Sequence, residues 1–340
     1  MTSGRPRCSG KGRDVPMRFS VDPWDPTYGT SLDPELGSSS AEVDPEIEVP
    51  AARWAPVRVD PAIDRPEAVL FVDGVRRIDA QVWVDEPDGA ASPALCASYA
   101  AGVVCCCRER GAHLTVAEVR RGLITTSESG GNVVTRAGAY RVVSTRPRED
   151  VAPMQVLSLA LQRDLAEVEV LTAATARKAG GGDRDDLLVV DGPLQGRQHL
   201  PRAIGFVKSH RSDYLPTELG RVVAALGPGE RTPVFRLAGS WERHTWYLRL
   251  PCPPGAPWAG VVRVECRADL TADEAIALAS LSQATLPRYA SVEYKDARAP
   301  QNLYPIAGLE DALRRRLGDQ NLLYRALRQA AHSVVAAATA

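Results

Sequence analysis

From Trp54 onward, short apolar runs alternate with Gly, Pro and Asp punctuation, and their spacing predicts strands over residues 68–72, 75–84, 95–107, 133–134 and 140–144. Those strands are expected to form an antiparallel sheet. The period then changes. Leu157, Leu161, Leu165 and Val168 recur at helical spacing, which predicts a helix over 153–179, opened by Pro153 and closed by Gly180-Gly181-Gly182. Beyond it the pattern predicts strands over 187–191, 204–208, 234–237, 245–250 and 260–266, with a short helix over 217–226. Helices over 272–286, 307–317 and 321–337 complete the chain. The reading is an α/β domain over 51–340, with a mixed core over about 66–270 and a helical C-terminal part over 271–340. Residues 1–50 break the pattern: Ser, Gly, Pro and acidic residues predominate, which predicts a disordered or extended leader. Residues 1–16 are basic and featureless, so Met17 is a second candidate for the start.

Two of the apolar runs lead into an Asp-Gly step: Val69-Leu70-Phe71-Val72-Asp73-Gly74 and Leu187-Leu188-Val189-Val190-Asp191-Gly192-Pro193-Leu194. An apolar strand ending on a carboxylate carries that group to the rim of a sheet, where two such groups share divalent ions. Asp-Gly is also the strongest short hairpin signal, and 75–84 reads as a returning strand, so a plain turn at Asp73 stays open. At Asp191 the following Pro193 opposes continuation of a paired strand. On the intervening helix, Glu169 lies about 40° from Leu165 and Glu167 on the far side, so Glu169 is expected to face the sheet and Glu167 the solvent. A third carboxylate there would complete a metal cluster; a boundary Glu paired with an Arg is the plain alternative. Strands, then a helix, then a further strand carrying a second carboxylate is the order of the ribonuclease H-like architecture.

Composition narrows the classes. The 340 residues are 44% hydrophobic with a formal net charge of −1, so any nucleic-acid surface must be local, built from Lys208, Arg211, Arg298 and the Arg314-Arg315-Arg316 run. Seven cysteines without a C-x-x-C pair argue against a disulfide framework and a zinc ribbon, and Cys105-Cys106-Cys107 reads as small apolar filling of a strand. No apolar run reaches the length of a membrane helix and no signal peptide is evident, so the expectation is a cytoplasmic protein with no membrane contact. Lys208, ending an apolar run and followed by Ser209, His210 and Arg211, is placed to neutralise a phosphate. The stretch 293–310, containing Arg298, Asn302, Tyr304-Pro305 and Glu310, is dense in polar and aromatic groups ahead of a helix, as functional loops often are.

The Val-Asp-Gly run, the later Val-Asp-Gly-Pro-Leu run, the Val207-Lys208-Ser209-His210-Arg211 segment and the Tyr-Pro step resemble, in that order, the NurA nucleases over residues 54–330. These process DNA ends in double-strand break repair together with hexameric HerA-type ATPases. The resemblance implies a ribonuclease H-like fold, a homodimer, Mn²⁺ (or Mg²⁺), and 5′ to 3′ exonuclease with single-strand endonuclease activity. Asp73 and Asp191 match the metal-binding aspartates, Glu169 the helical glutamate and Tyr304 the C-terminal tyrosine. The family usually places a His or Asp on the helix after Tyr-Pro; here no His follows before His332, and Glu310 or Asp311 takes that place.

The expected mechanism is two-metal hydrolysis. Asp73, Asp191, Glu169 and an acidic group near Glu310 hold the ions about 3.5–4 Å apart, Lys208 neutralises phosphate, and Arg211, Arg298 and Asn302 contact DNA. Oxygen donors without a His cluster favour Mg²⁺ or Mn²⁺ over zinc. Two rivals remain. One is a catalytically impaired scaffold docking on a DNA-translocating ATPase. The other is an actin-like or sugar-kinase ATPase, disfavoured because Val75-Arg76-Arg77, not small hydroxyl residues, follows Asp73-Gly74.

Overall fold

The computed structural model describes residues 41–180, 185–208, 214–253, 255–296 and 298–338, with side chains through Ser333. The expected closing glycines beyond Gly180, Met17 and most of the leader, and Arg211 lie outside these residues. The architecture is mixed α/β: one large, mostly antiparallel sheet with helices against it.

In chain order the strands are β1 (Glu42–Asp44), β2 (Ala68–Asp85), β3 (Ala91–Cys107), β4 (Gly111–Thr125), β5 (Val133–Thr135), β6 (Gly138–Ser144), β7 (Asp186–Asp191), β8 (Ala203–Val207), β9 (Phe235–Ala238), β10 (Arg243–Arg249) and β11 (Val261–Arg267). The helices are α1 (Pro153–Ala179), α2 (Thr217–Ala224), α3 (Ala272–Thr285), α4 (Tyr304–Arg316) and α5 (Gln320–Ala338). Across the sheet the order is β1-β9-β10-β11-β8-β7-β2-β3-β4-β6-β5. Parallel pairing joins β2 to β7, β7 to β8 and β4 to β6.

Three expectations change. Asp73-Gly74 is not a turn. β2 runs through it unbroken, with Asp73 opposite Gly102 and Gly74 opposite Ala101, because the long β2–β3 ladder outweighs the local Asp-Gly preference. Asp73 is therefore not at a strand end, and 75–84 is the second half of the same strand. β4 forms over a stretch where no element is expected. Within the stretch expected to be a disordered or extended leader, Glu42–Asp44 is extended and pairs as β1 with β9 at the sheet edge. Glu48 anchors this segment through the buried Arg231, at 2.7 and 3.0 Å.

Strand alternation sorts the core into two layers. Val69, Phe71 and Val75 of β2, with Leu187 and Val189 of β7, join Leu309 and Leu313 of α4 in one layer. Leu70, Val72, Leu188 and Val190 join Ala173 and Ala176 of α1 on the opposite face. Pro153 opens α1 at a position where its missing N–H costs nothing. The C-terminus of α4 is tied to the sheet by cations that also suit the helix dipole: Arg77 donates to the Gly318 carbonyl at 2.8 Å and Arg121 to that of Leu317 at 3.2 Å. No helix among the described residues is long and apolar enough to cross a membrane.

Candidate metal centre

The parallel register of β2 with β7 runs from Ala68 opposite Asp186 to Val72 opposite Val190, then stops. Asp73 and Asp191 are the next residues of the two strands, and by alternation both point to the α4 layer. Gly192, at φ 93°, turns the chain away directly after Asp191, so the carboxylate stays at the end of β7.

Glu310 reaches the same place because α4 approaches β3 closely at Gly102. A Cβ on Gly102 would come within 2.8 Å of the Val116 carbonyl oxygen, 3.1 Å of Leu313 and 3.2 Å of Leu309. Gly102 pairs with Asp73, so Glu310, the neighbour of Leu309, is brought to Asp73. The carboxylates of Asp73, Asp191 and Glu310 each offer an oxygen within 4.8 Å of the others.

The surrounding cations are shared out unevenly. Lys208, buried at the end of β8, donates to Asp191 Oδ2 at 2.8 Å. Arg298 donates to Glu310 Oε1 at 2.6 Å. Asp73 accepts from the Gly74 N–H at 2.7 Å through Oδ1, while its buried Oδ2 has no hydrogen-bond partner among the described residues. Burial, followed by the charges of Asp191 and Glu310, holds the Asp73 carboxyl well above its ordinary range; Lys208 opposes the shift.

Glu169 is buried and Glu167 exposed, as helical spacing predicts. Glu169 belongs to the α1 side and stands outside the group of three carboxylates. Its Oε2 is paired with Arg197, and its Oε1 lies 2.5 Å from where a Cβ on Gly74 would be, with Leu165 Cδ1 at 2.8 Å, so any side chain at Gly74 would displace Glu169 or Leu165. Burial raises the Glu169 carboxyl, Arg197 counters it and Asp191 adds to it. Glu169 thus supports the site from beneath, and Glu310 takes the third position.

Two expected DNA contacts also change. Asn302 is fully buried and donates to Asp296 Oδ2 at 2.5 Å, so it braces the loop instead of meeting a ligand. Asp296 accepts in turn from the Arg298 N–H at 2.9 Å, and Arg298 is committed to Glu310. Tyr304, exposed at the start of α4, lies about 9 Å along the helix axis from Glu310, with the Lys295 ammonium 5.6 Å from its ring centre.

Sequence spacing gives no signal for Arg197, or for Glu265 on β11. Glu265 accepts from the Leu194 N–H at 2.7 Å, fixing the loop that follows Asp191. Gly205 permits this contact, since a Cβ there would lie 2.9 Å from both Glu265 Cγ and Leu194 N.

The donors fit a hard divalent cation. All three are carboxylate oxygens, and the orphaned Asp73 Oδ2 is a buried acceptor that a cation would satisfy. No family model matches the chain, and no curated protein matches it in sequence.

Proposed function

We propose that the chain is a divalent-metal-dependent deoxyribonuclease of the NurA type, built on a ribonuclease H-like core. The observation that carries this reading is the convergence of Asp73, Asp191 and Glu310, with one buried Asp73 oxygen unsatisfied. The fold reading is supported by the central strands β4-β3-β2-β7-β8, in which the first three are antiparallel, α1 follows, and β7 returns parallel to β2 with the second carboxylate.

Asp73, Asp191 and Glu310 would hold Mn²⁺ or Mg²⁺. Such an ion supplies Lewis-acid activation of water and charge compensation at the scissile phosphate. Lys208 holds Asp191 in place and adds positive charge beside the phosphate position, and Arg298 does the same at Glu310. Glu169, fixed by Arg197, backs β2 at Gly74 and keeps the strand rigid beside Asp73.

With a net charge of −1, affinity for DNA alone should be weak, because non-specific binding comes mainly from neutralised phosphates. A hexameric HerA-like ATPase threading DNA into a nuclease homodimer would supply the missing effective concentration. Digestion of end-labelled single- and double-stranded DNA, with and without Mn²⁺, tests the activity. Cleavage is expected only with metal, and its absence on both substrates would refute the reading. Processivity equal with and without the ATPase and ATP, together with no complex at micromolar concentration, would refute the partnership.

One observation favours a second reading, a scaffold that has lost catalysis: Lys208 and Arg298 already neutralise two of the three carboxylates. Calorimetric titration with Mn²⁺ separates the two, since a scaffold of this kind would take up no ion.

A further inference from the structure

Nearer the start of β2, about 10–16 Å along the strand from Asp73, lies a second group of ligating side chains with different chemistry. Cys105 and Cys107 are two residues apart on β3 and share the face turned toward α1, whereas Cys106 points into the other layer. His113 is on β4 directly opposite Cys105, across the hairpin turn formed by residues 108–110. The two sulfurs and one imidazole nitrogen all lie within 4.8 Å of one another. They line a cavity of about 540 Å³ beneath the C-terminal end of α1, together with Glu109, Arg177 and Asp186.

We propose that Cys105, Cys107 and His113 form a zinc site at the tip of the β3–β4 hairpin, with its fourth coordination position open to this cavity.

The donor set decides the metal. Two thiolates and one imidazole are soft to borderline ligands, which select Zn²⁺ over the Mg²⁺ or Mn²⁺ suited to the three carboxylates. Distances suit it too. Ligand atoms around a tetrahedral zinc stand about 3.5–3.8 Å apart, so closing onto an ion asks for movements of about 1 Å. Three protein ligands with a vacant fourth position is the arrangement of reactive zinc sites, as opposed to closed structural ones. The last turn of α1, through Ala176, Ala179 and Gly180, lines the cavity, and the negative end of the helix dipole there also favours a cation. Of the two arginines that line the cavity, Arg110 and Arg177, the second is turned to Asp186 at 2.6 Å. The site differs from a zinc ribbon: Cys-x-Cys and a His across one hairpin replace the paired C-x-x-C knuckles.

Co²⁺ titration of the reduced full chain tests the proposal. Expected are a sulfur-to-cobalt charge-transfer band and tetrahedral visible bands that saturate at about one equivalent per chain and vanish when Zn²⁺ is added. Cys107→Ser and His113→Ala should each weaken affinity at least about 100-fold, more than loss of an outer-shell partner does. Asp191→Asn should leave the bands unchanged, which separates this site from the carboxylate centre. His113 is only half-buried on the hairpin, so H113A gives a reading even if C107S does not fold. Absence of the charge-transfer band in the wild-type chain, or bands unaltered in folded H113A, would overturn it.

Discussion

Glu265 on β11 and Asp73 on β2 are both buried carboxylates, yet their surroundings are opposite in kind. Glu265 is fully buried and both oxygens are occupied: Oε1 by the Leu194 N–H at 2.7 Å, Oε2 by Arg263 at 2.5 Å, with Arg243 at 3.3 Å. Asp73 has the like charges of Asp191 and Glu310 for neighbours, only partly offset by Lys208, and its Oδ2 has no hydrogen-bond partner among the described residues. A buried charge that is fully paired belongs to the scaffold, since removing it strands its partners. A buried charge left unpaired costs stability and persists where something else uses it. The two stand in series: Glu265 fixes the loop after Asp191, which partners Asp73.

The largest effect should come from the paired member. Glu265→Gln leaves the two buried arginines without their counter-charge and should cost about 3–5 kcal/mol in urea unfolding. A cost under about 1 kcal/mol would break the comparison.

Asp73→Asn should do the reverse. It removes an uncompensated charge, so the metal-free fold keeps or gains stability, while Mn²⁺-dependent cleavage falls at least about 100-fold for loss of a ligand. The pH dependence has a definite sign. Because the folded Asp73 carboxyl titrates above its ordinary 3.8, the folded chain retains a proton that the unfolded chain has lost in the interval between the two values. Metal-free stability therefore falls as pH rises through that interval, and divalent affinity rises, since binding must expel the proton. Melting temperature followed against pH in a chelator should show this slope in the wild type and a flatter curve in D73N. Identical curves would remove Asp73 as its source.

Gly102→Ala tests how α4 delivers Glu310. The added methyl meets the Val116 carbonyl at 2.8 Å and Leu313 at 3.1 Å, so overpacking should cost about 1–3 kcal/mol. Divalent affinity should drop in the same variant, because the helix carrying Glu310 is pushed off β3. Lost stability with unchanged affinity would show that Glu310 is not positioned through this contact.

Local signals made much of the frame legible. Pro153 and the Leu157–Leu161–Leu165 spacing predict α1 with its observed bounds, and the apolar runs predict where Asp73 and Asp191 stand in sequence. What escaped was non-local. The Asp-Gly step suggests a turn, but whether β2 turns or continues is decided by β3, which pairs through it. β4 carries Glu118, Arg120 and Arg121 among its apolar residues, so its edge-like alternation is faint. Glu310 joins Asp73 only because Gly102 has no side chain, and nothing near either acid in sequence encodes that approach.

The smallest effect separates two glutamates on one helix. Helical spacing alone distinguishes Glu169 from Glu167, and burial agrees: Glu169 sits against Gly74 with Arg197 on its other oxygen, while Glu167 is exposed. Because Glu169 acts on the centre through Gly74 and Arg197 and is not one of the three converging carboxylates, Glu169→Gln should weaken metal affinity by about 10-fold, the lower range for an outer-shell partner. Glu167→Gln should stay within about 0.5 kcal/mol in both stability and affinity, as surface changes do. The readout is Mn²⁺ titration alongside cleavage. If Glu169→Gln abolishes binding as completely as Asp191→Asn, the glutamate is itself a ligand that moves to the metal, and Glu310 loses its place in the set. If it changes nothing, the Arg197 pair belongs with Glu265, on the scaffold side of the comparison.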